Sequence, residues 1–112
     1  MFNRIEVNKN SYIVIVTRGH KFDELVLENA VKTDARYIGM IGSRRKVLVI
    51  LKRLKEKGIP EKILERVYTP IGLSIGAVTP EEIALSIVSE LVKIRRMGDN
   101  AEIKHMSQTL RN

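Results

Sequence analysis

The chain has 112 residues, no cysteine and no tryptophan, and 20 basic against 13 acidic side chains, for a formal charge of +7. That length suits one domain able to bury a core unaided, and the lack of cysteine excludes a disulfide framework and thiolate metal sites. No apolar run exceeds five residues, far short of the ~20 that a membrane-spanning helix needs.

The two histidines, His20 and His105, stand far apart in sequence, which disfavours a histidine metal cage. With no signal-peptide layout at the N-terminus, the expectation is a cytoplasmic domain without a membrane partner. The positive charge is concentrated. Nine basic and three acidic residues fall between Arg44 and Arg66, six of the seven net charges. Such a field favours phosphate groups, nucleic acid or an acidic protein. The aromatic residues Phe2, Tyr12, Phe22, Tyr37 and Tyr68 do not interleave with that run, so a base-stacking nucleic-acid platform is disfavoured. Lys52 to Lys62 reads more simply as a solvated helix face.

Taken in order, Phe2 to Val7 is a candidate edge strand, and Tyr12 to Thr17 (YIVIVT) is a β-branched run too apolar for a strand wet on one face. Such runs belong in parallel sheets covered on both sides. After a turn at Arg18-Gly19-His20, helical spacing predicts a helix over Phe22 to Lys32 with Phe22, Leu25, Val26, Asn29 and Ala30 on one side. Tyr37 to Ile41 is a second buried strand. Ser43 caps a helix running to about Lys57, stopped by Gly58 and Pro60, with Val47, Ile50, Leu51 and Leu54 as its apolar stripe.

A short helix from Glu61 to about Arg66 and a brief strand at Val67 and Tyr68 follow. The loop Thr69 to Ala77 leads into the most strongly marked helix. Thr79 and Glu82 form a capping box, Pro80 takes the first helical position, and Arg95, Arg96 and Gly98 mark the end. Its predicted core stripe is Ile83, Ile87, Leu91 and Ile94, with Ala84 and Val88 beside it. Residues 99–112 read as a polar, loosely ordered tail, with one weak amphipathic turn or two over Ile103 to Leu110.

Alternating strands and helices predict an α/β fold with a three-layer parallel sheet and right-handed crossovers. A strand as apolar as Tyr12 to Thr17 should not lie on an open edge, so the sheet reads as a half-domain completed by pairing with another chain. Ligands of such sheets bind beyond the carboxyl ends of the strands, where Arg18-Gly19-His20, Gly39 to Lys46 and Thr69 to Ala77 converge. Gly42, Ser43 and the free amides of the following turn form an anion site. Arg44, Arg45 and Lys46 oppose the helix dipole there, at roughly 0.3–1 kcal/mol each, and a bound phosphate or carboxylate would offset that. His20 is a candidate hydrogen-bonding or acid–base group, and the Gly72 and Gly76 loop offers backbone amides. No nucleophile–base pair or hydrolytic carboxylate pair is present, so catalysis is not indicated.

Tyr37 to Arg45 (YIGMIGSRR), and Pro70 to Ala77 (PIGLSIGA) leading into Thr79 to Ala84 (TPEEIA), resemble the XdhC/CoxI family of xanthine dehydrogenase accessory proteins. The likeness runs from about Tyr12 to Arg96. It implies a Rossmann-like domain over residues 1–98 and the family's role: binding molybdenum cofactor (molybdopterin), protecting it, and helping deliver its sulfurated form to a molybdenum hydroxylase client. Members resembling this chain are cytoplasmic chaperones, usually homodimers, rather than enzymes. The resemblance implies that Gly39, Gly42, Ser43, Arg44 and Arg45 lie near a phosphate-bearing ligand, with Gly72, Ile75 and Gly76 at the same crevice and His20 nearby. Family members carry an N-terminal domain, and their Rossmann-like domain opens with a strand and glycine-rich turn that nothing before Tyr12 supplies. The family tends to have a histidine pair after the strand matching Tyr12 to Thr17; here Arg18 stands at the first position and only His20 remains. The expectation is therefore the second half of that domain, with a separate chain as a source of the first half. The alternatives are an NAD(P)-binding oxidoreductase fragment, disfavoured by the missing pyrophosphate turn, and a basic nucleic-acid-binding module.

Overall fold

The computed structural model describes residues 6–16, 20–98 and 103–107, with the side chains of His20 and Lys21 excepted. The strands are β1 (Tyr12–Ile15), β2 (Tyr37–Met40) and β3 (Val67–Tyr68), and the helices are α1 (His20–Ala30), α2 (Arg44–Glu56), α3 (Glu61–Leu64) and α4 (Pro80–Met97). The three strands form one parallel sheet in the order β1-β2-β3, with Tyr12 opposite Tyr37 and Ile38 opposite Val67. The sheet is open, with helices on both sides, as the sequence predicts for a Rossmann-like half-domain.

Period-two alternation sorts the strand residues into two cores. Ile15, Ile38, Met40 and Val67 face α1, α2 and α3, where they pack on Leu27, Ala30, Val47, Ile50, Leu54 and Leu64. Tyr37, with Tyr12, Ile41 and Tyr68 against it, faces α4 and meets Ile71, Ile87, Leu91 and Ile94. On that second side a row of rings crosses the sheet, one from each strand. Tyr12 and Tyr37 stand 6.0 Å apart and Tyr37 and Tyr68 5.1 Å, and the row continues to His105 at 5.1 Å.

The central strand β2 is buried along its whole length. β1 lies at an edge: Val14 and Val16 are 37% and 63% exposed. These two share a side with Tyr12, the α4 side, so the apolar strand is covered on one face only. The candidate edge strand from Phe2 and the Arg18-Gly19 turn lie outside the described residues, except that residues 6 and 7 are not in a strand.

The helix α1 departs from its predicted face. Phe22 and Leu25 are about half exposed, while Asp23, Glu24, Val26, Leu27 and Ala30 are buried. The buried stripe is Val26, Leu27, Ala30 and Val31, and the same face carries two acids. Turning Asp23 and Glu24 inward brings them to cations on α2: Lys46 pairs with Asp23, and Arg53 and Lys57 pair with Glu24 at 2.7 and 2.8 Å. Helical spacing alone could not supply these ion-pair partners, because they belong to another segment of the chain. The hydrogen bond from Lys57, aided by Arg53 and acting against partial desolvation, holds the Glu24 carboxyl below its ordinary range.

Local signals are realised elsewhere. The Ser43 hydroxyl accepts from the Lys46 amide at 3.2 Å, and α2 buries Val47, Ile50 and Leu54. The Thr79–Glu82 capping box is complete in both directions. Residues 103–107, read from sequence as part of a loose tail, instead dock on the domain. His105 bridges to Leu73, Met106 N–H donates to the Gly72 carbonyl at 2.8 Å, and Ser74 N–H donates to Lys104.

Candidate functional site

The carboxyl ends of β2 and β3 lead into the two segments that the sequence singles out, and these face each other across a cleft of ≈ 460 Å³. Ile41, Gly42 and Ser43 form one wall. Pro70, Ile71, Leu73, Gly76 and Ala77 form the other, with Ile83 and Ser86 of α4 and Met106 completing the lining. The volume lies within the ordinary range for a small-molecule site. The lining is largely apolar, and its polar end is the start of α2.

At that end Ser43 is the N-cap. Its side chain takes the Lys46 amide and its carbonyl takes the Val47 amide. The amides of Arg44 and Arg45, at the first two helical positions, have no acceptor within the helix. Both side chains are exposed, and neither takes part in an ion pair among the described residues. Lys46 differs. Its ammonium pairs with the fully buried Asp23, so one of the three cations expected to need an external anion is neutralised from within.

The predicted site residues divide into three groups. Gly42, Ser43 and Gly76 meet at the cleft, while Arg44 and Arg45 follow Ser43 as the first residues of α2 and are not part of the lining. Gly76 has φ +72°, a left-handed conformation that favours glycine, and open space where a Cβ would sit. Gly39 and Gly72 stand behind the cleft walls. A Cβ on Gly39 would meet the Tyr37 ring and the Ile71 side chain, so its small size serves the packing of the sheet. Gly72, at φ +114°, presses on Ser86 of α4. Ile75 is half exposed and outside the lining. His20 opens α1, and its side chain lies outside the described residues.

Behind the loop lies a polar network that sequence reasoning missed. Glu90 is fully buried at the centre of the inner face of α4. Its Oε1 accepts from the Tyr37 hydroxyl at 2.6 Å and from the Gly72 amide at 3.1 Å, and its Oε2 lies 2.7 Å from His105 Nδ1. His105 Nε2 in turn lies 2.7 Å from Lys93 Nζ. A carboxylate only accepts and an ammonium only donates, so a neutral imidazole with its proton on Nδ1 satisfies the chain. Burial, reinforced by the hydrogen bond to Glu90, pushes the Tyr37 hydroxyl well above the usual phenol range. The network ties β2, the cleft loop, α4 and the 103–107 segment to one carboxylate. The signal was legible in part: Ser86, Glu90 and Lys93 fall at helical spacing among Ile83, Ile87, Leu91 and Ile94, and polar groups on such a face need partners.

Among the described residues no group of three or more His, Cys, Asp or Glu side chains converges as a metal site, and no helix is long and apolar enough to cross a membrane.

Residues 2–91 match the family of the XdhC Rossmann domain. The chain belongs to that family. Among its relatives, YqeB of Escherichia coli is 32% identical over 91 residues, covering 81% of this chain and 16% of YqeB. A probable xanthine dehydrogenase subunit of Bacillus subtilis is 30% identical over 96 residues, 86% of this chain and 27% of that protein. A crystal structure titled as a xanthine dehydrogenase from Bacillus halodurans superposes with a TM-score of 0.70 at 30% identity, over 90% of this chain and 28% of that one. The chain thus spans well under a third of each relative's length. In the XdhC domain described here, Lys93, His105 and Met106 lie beyond the stretch that matches the family.

Proposed function

We propose that this XdhC domain is an accessory binding module that holds molybdenum cofactor for maturation of a xanthine dehydrogenase-type molybdenum hydroxylase. The observation that carries the reading is the cleft itself: an apolar pocket ending at a capped helix N-terminus, followed by two exposed arginines with no ion pair among the described residues and two amides with no acceptor within the helix. The residues fit the group. A pterin is flat and largely non-ionic, which suits the Ile41, Ile71, Leu73 and Ile83 walls, and its phosphate suits Arg44, Arg45 and their amides. When bound, the cofactor supplies the molybdenum centre that the client enzyme uses. The chain's own part is to grip the phosphate, to exclude water with the apolar walls, and to hold the 70–77 loop in place through Glu90.

The names of the Bacillus subtilis and Bacillus halodurans relatives support a molybdenum hydroxylase as client, and a module of this kind works in the cytoplasm. The bare side of β1, with Val14 and Val16 exposed, supports completion of the sheet by strands from a further segment or chain. Ion pairing to α1 engages three of the nine cations of the basic run, Lys46, Arg53 and Lys57, which favours a small anion over nucleic acid.

The test is native mass spectrometry of the chain with molybdenum cofactor released from a molybdoenzyme, beside an Arg44→Ala/Arg45→Ala variant. The reading expects one cofactor per chain and loss of binding in the variant, whose fold is intact because both side chains are exposed. Equal binding by the two proteins would sink it.

A further inference from the structure

The segment 103–107 is fastened to the loop that forms one wall of the cleft. Ser74 N–H donates to the Lys104 carbonyl and Met106 N–H to the Gly72 carbonyl, so the backbone bonds bracket Leu73, itself a lining residue. The His105 side chain is buried between Glu90 and Lys93, and its ring lies 5.1 Å from that of Tyr68. Glu90 divides its oxygens between the two partners: Oε1 takes the Gly72 amide of the loop, and Oε2 meets His105 of the segment. One carboxylate therefore holds loop and segment together. The next residue, Met106, is half-buried and borders the cleft. Methionine fills irregular apolar gaps, which suits a wall that faces a ligand. The whole segment lies outside residues 2–91, the stretch that matches the family.

We infer that residues 103–107 are a strap that sets the width of the cleft. Met106 is the specificity-determining residue, selecting ligands by the bulk of their apolar body, and His105 is the positioning residue that locks it in place. The inference rests on the cleft being the ligand site. Two backbone hydrogen bonds contribute little net hold against competition from water. The contacts of a buried imidazole with a carboxylate on one side and an ammonium on the other are stronger, and undocking would leave those charges without it. A side chain that forms one wall of a site discriminates chiefly by the clashes it imposes. A larger residue at 106 narrows the cleft, a smaller one widens it, and loss of the lock at 105 widens it by letting the strap leave.

A chain without cysteine lets one introduced thiol report that width with no cofactor present, so the result is readable whether or not the cleft holds molybdenum cofactor. Ile83→Cys puts the thiol in the cleft lining on α4, and Leu48→Cys, exposed on α2, is the reference. Each reacts with N-methylmaleimide and with the bulkier N-(1-pyrenyl)maleimide, and the quantity read is the ratio of the bulky to the small rate. In the Ile83→Cys background, Met106→Trp is expected to lower the ratio about tenfold and Met106→Ala to raise it by a similar factor, the scale on which pockets discriminate by a few methylenes. His105→Ala is expected to raise it about tenfold, the factor that loss of one hydrogen bond to a charged group corresponds to. The ratio at position 48 stays the same throughout. A merely structural role for His105 would speed both reagents at position 83 together and leave the ratio unchanged, which would overturn the lock. A ratio that ignores both Met106 variants would overturn the strap as a whole. Should His105→Ala fail to fold, the Met106 variants, whose side chain borders open space, carry the test alone.

Discussion

The two sides of the sheet are held by different physics. On one side α2 buries Val47, Ile50 and Leu54, with the Glu24 pairs of Arg53 and Lys57 toward the rim and one buried pair, Asp23–Lys46, at the start of the two helices. On the other, α4 buries Ser86, Glu90 and Lys93 alongside Ile94, so its charges lie at the centre. An apolar interface holds helices together but tolerates small shifts. A buried carboxylate with partners on β2, the cleft loop and residue 105 tolerates none, because each displaced donor is left unpaired. The α2 side therefore supplies cohesion, and the α4 side fixes the loop that forms one wall of the cleft.

Glu90→Ala should give the largest effect, about 3–5 kcal/mol of lost stability, because it leaves the buried Tyr37, Gly72 and His105 donors without their acceptor. Leu54→Ala, on the apolar side, should lose about 2–5 kcal/mol through the cavity it leaves. Denaturant melts give the two totals, and amide hydrogen exchange separates their character. Glu90→Ala should deprotect Gly72, Leu73 and Met106 beyond the global loss, and Leu54→Ala should not. If both variants deprotect the loop equally, the contrast between the two sides fails.

A gentler variant sharpens the same contrast. Tyr37→Phe removes one donor to Glu90 while keeping the ring row, and should lose about 1.5–3 kcal/mol, as expected for a hydrogen bond to a charged group. A loss close to zero would mean that the hydroxyl adds nothing to the network. The smallest effect belongs to the rim. Lys57 and Arg53 hold the Glu24 carboxyl below its ordinary value of 4.5, so its contribution to stability is present above that value and disappears as the pH falls through the lowered one. Glu24→Gln should flatten the stability profile below about pH 5 and change little between pH 6 and 8. An unchanged acid limb would show that the pairing is not maintained in solution.

How much of this was legible in the sequence follows from the range of each signal. The Ser43 cap and the Thr79–Glu82 box lie within three residues of their partners, and both could be read directly. The strands Tyr12–Ile15 and Tyr37–Met40 were legible from their apolar density, and the open edge was legible from the strand count. The face of α1 was ambiguous, because the stripe through Phe22 and Leu25 competes with that of Val26, Leu27, Ala30 and Val31, and the cations that meet Asp23 and Glu24 lie elsewhere in the chain. Glu90 was visible as an acid on an apolar stripe, but its partners lie 53, 18 and 15 residues away, and spacing cannot supply them. The docking of residues 103–107 was hidden for the same reason. Of the cleft, the pairing of Gly42 and Ser43 with Gly76 was legible through motif and resemblance. The placement of Gly39 and Gly72 behind its walls emerged only with the packing of Tyr37, Ile71 and Ser86.

The measurement that bears most directly on the central claim is amide chemical-shift mapping of the isotope-labelled chain titrated with molybdenum cofactor. The account predicts saturable shifts confined to Gly42 to Lys46 and to residues 70–77, with α1 and the outer face of α2 unmoved. Shifts centred on the basic stretch Lys52 to Lys62, or no saturable shift at the start of α2, would contradict it.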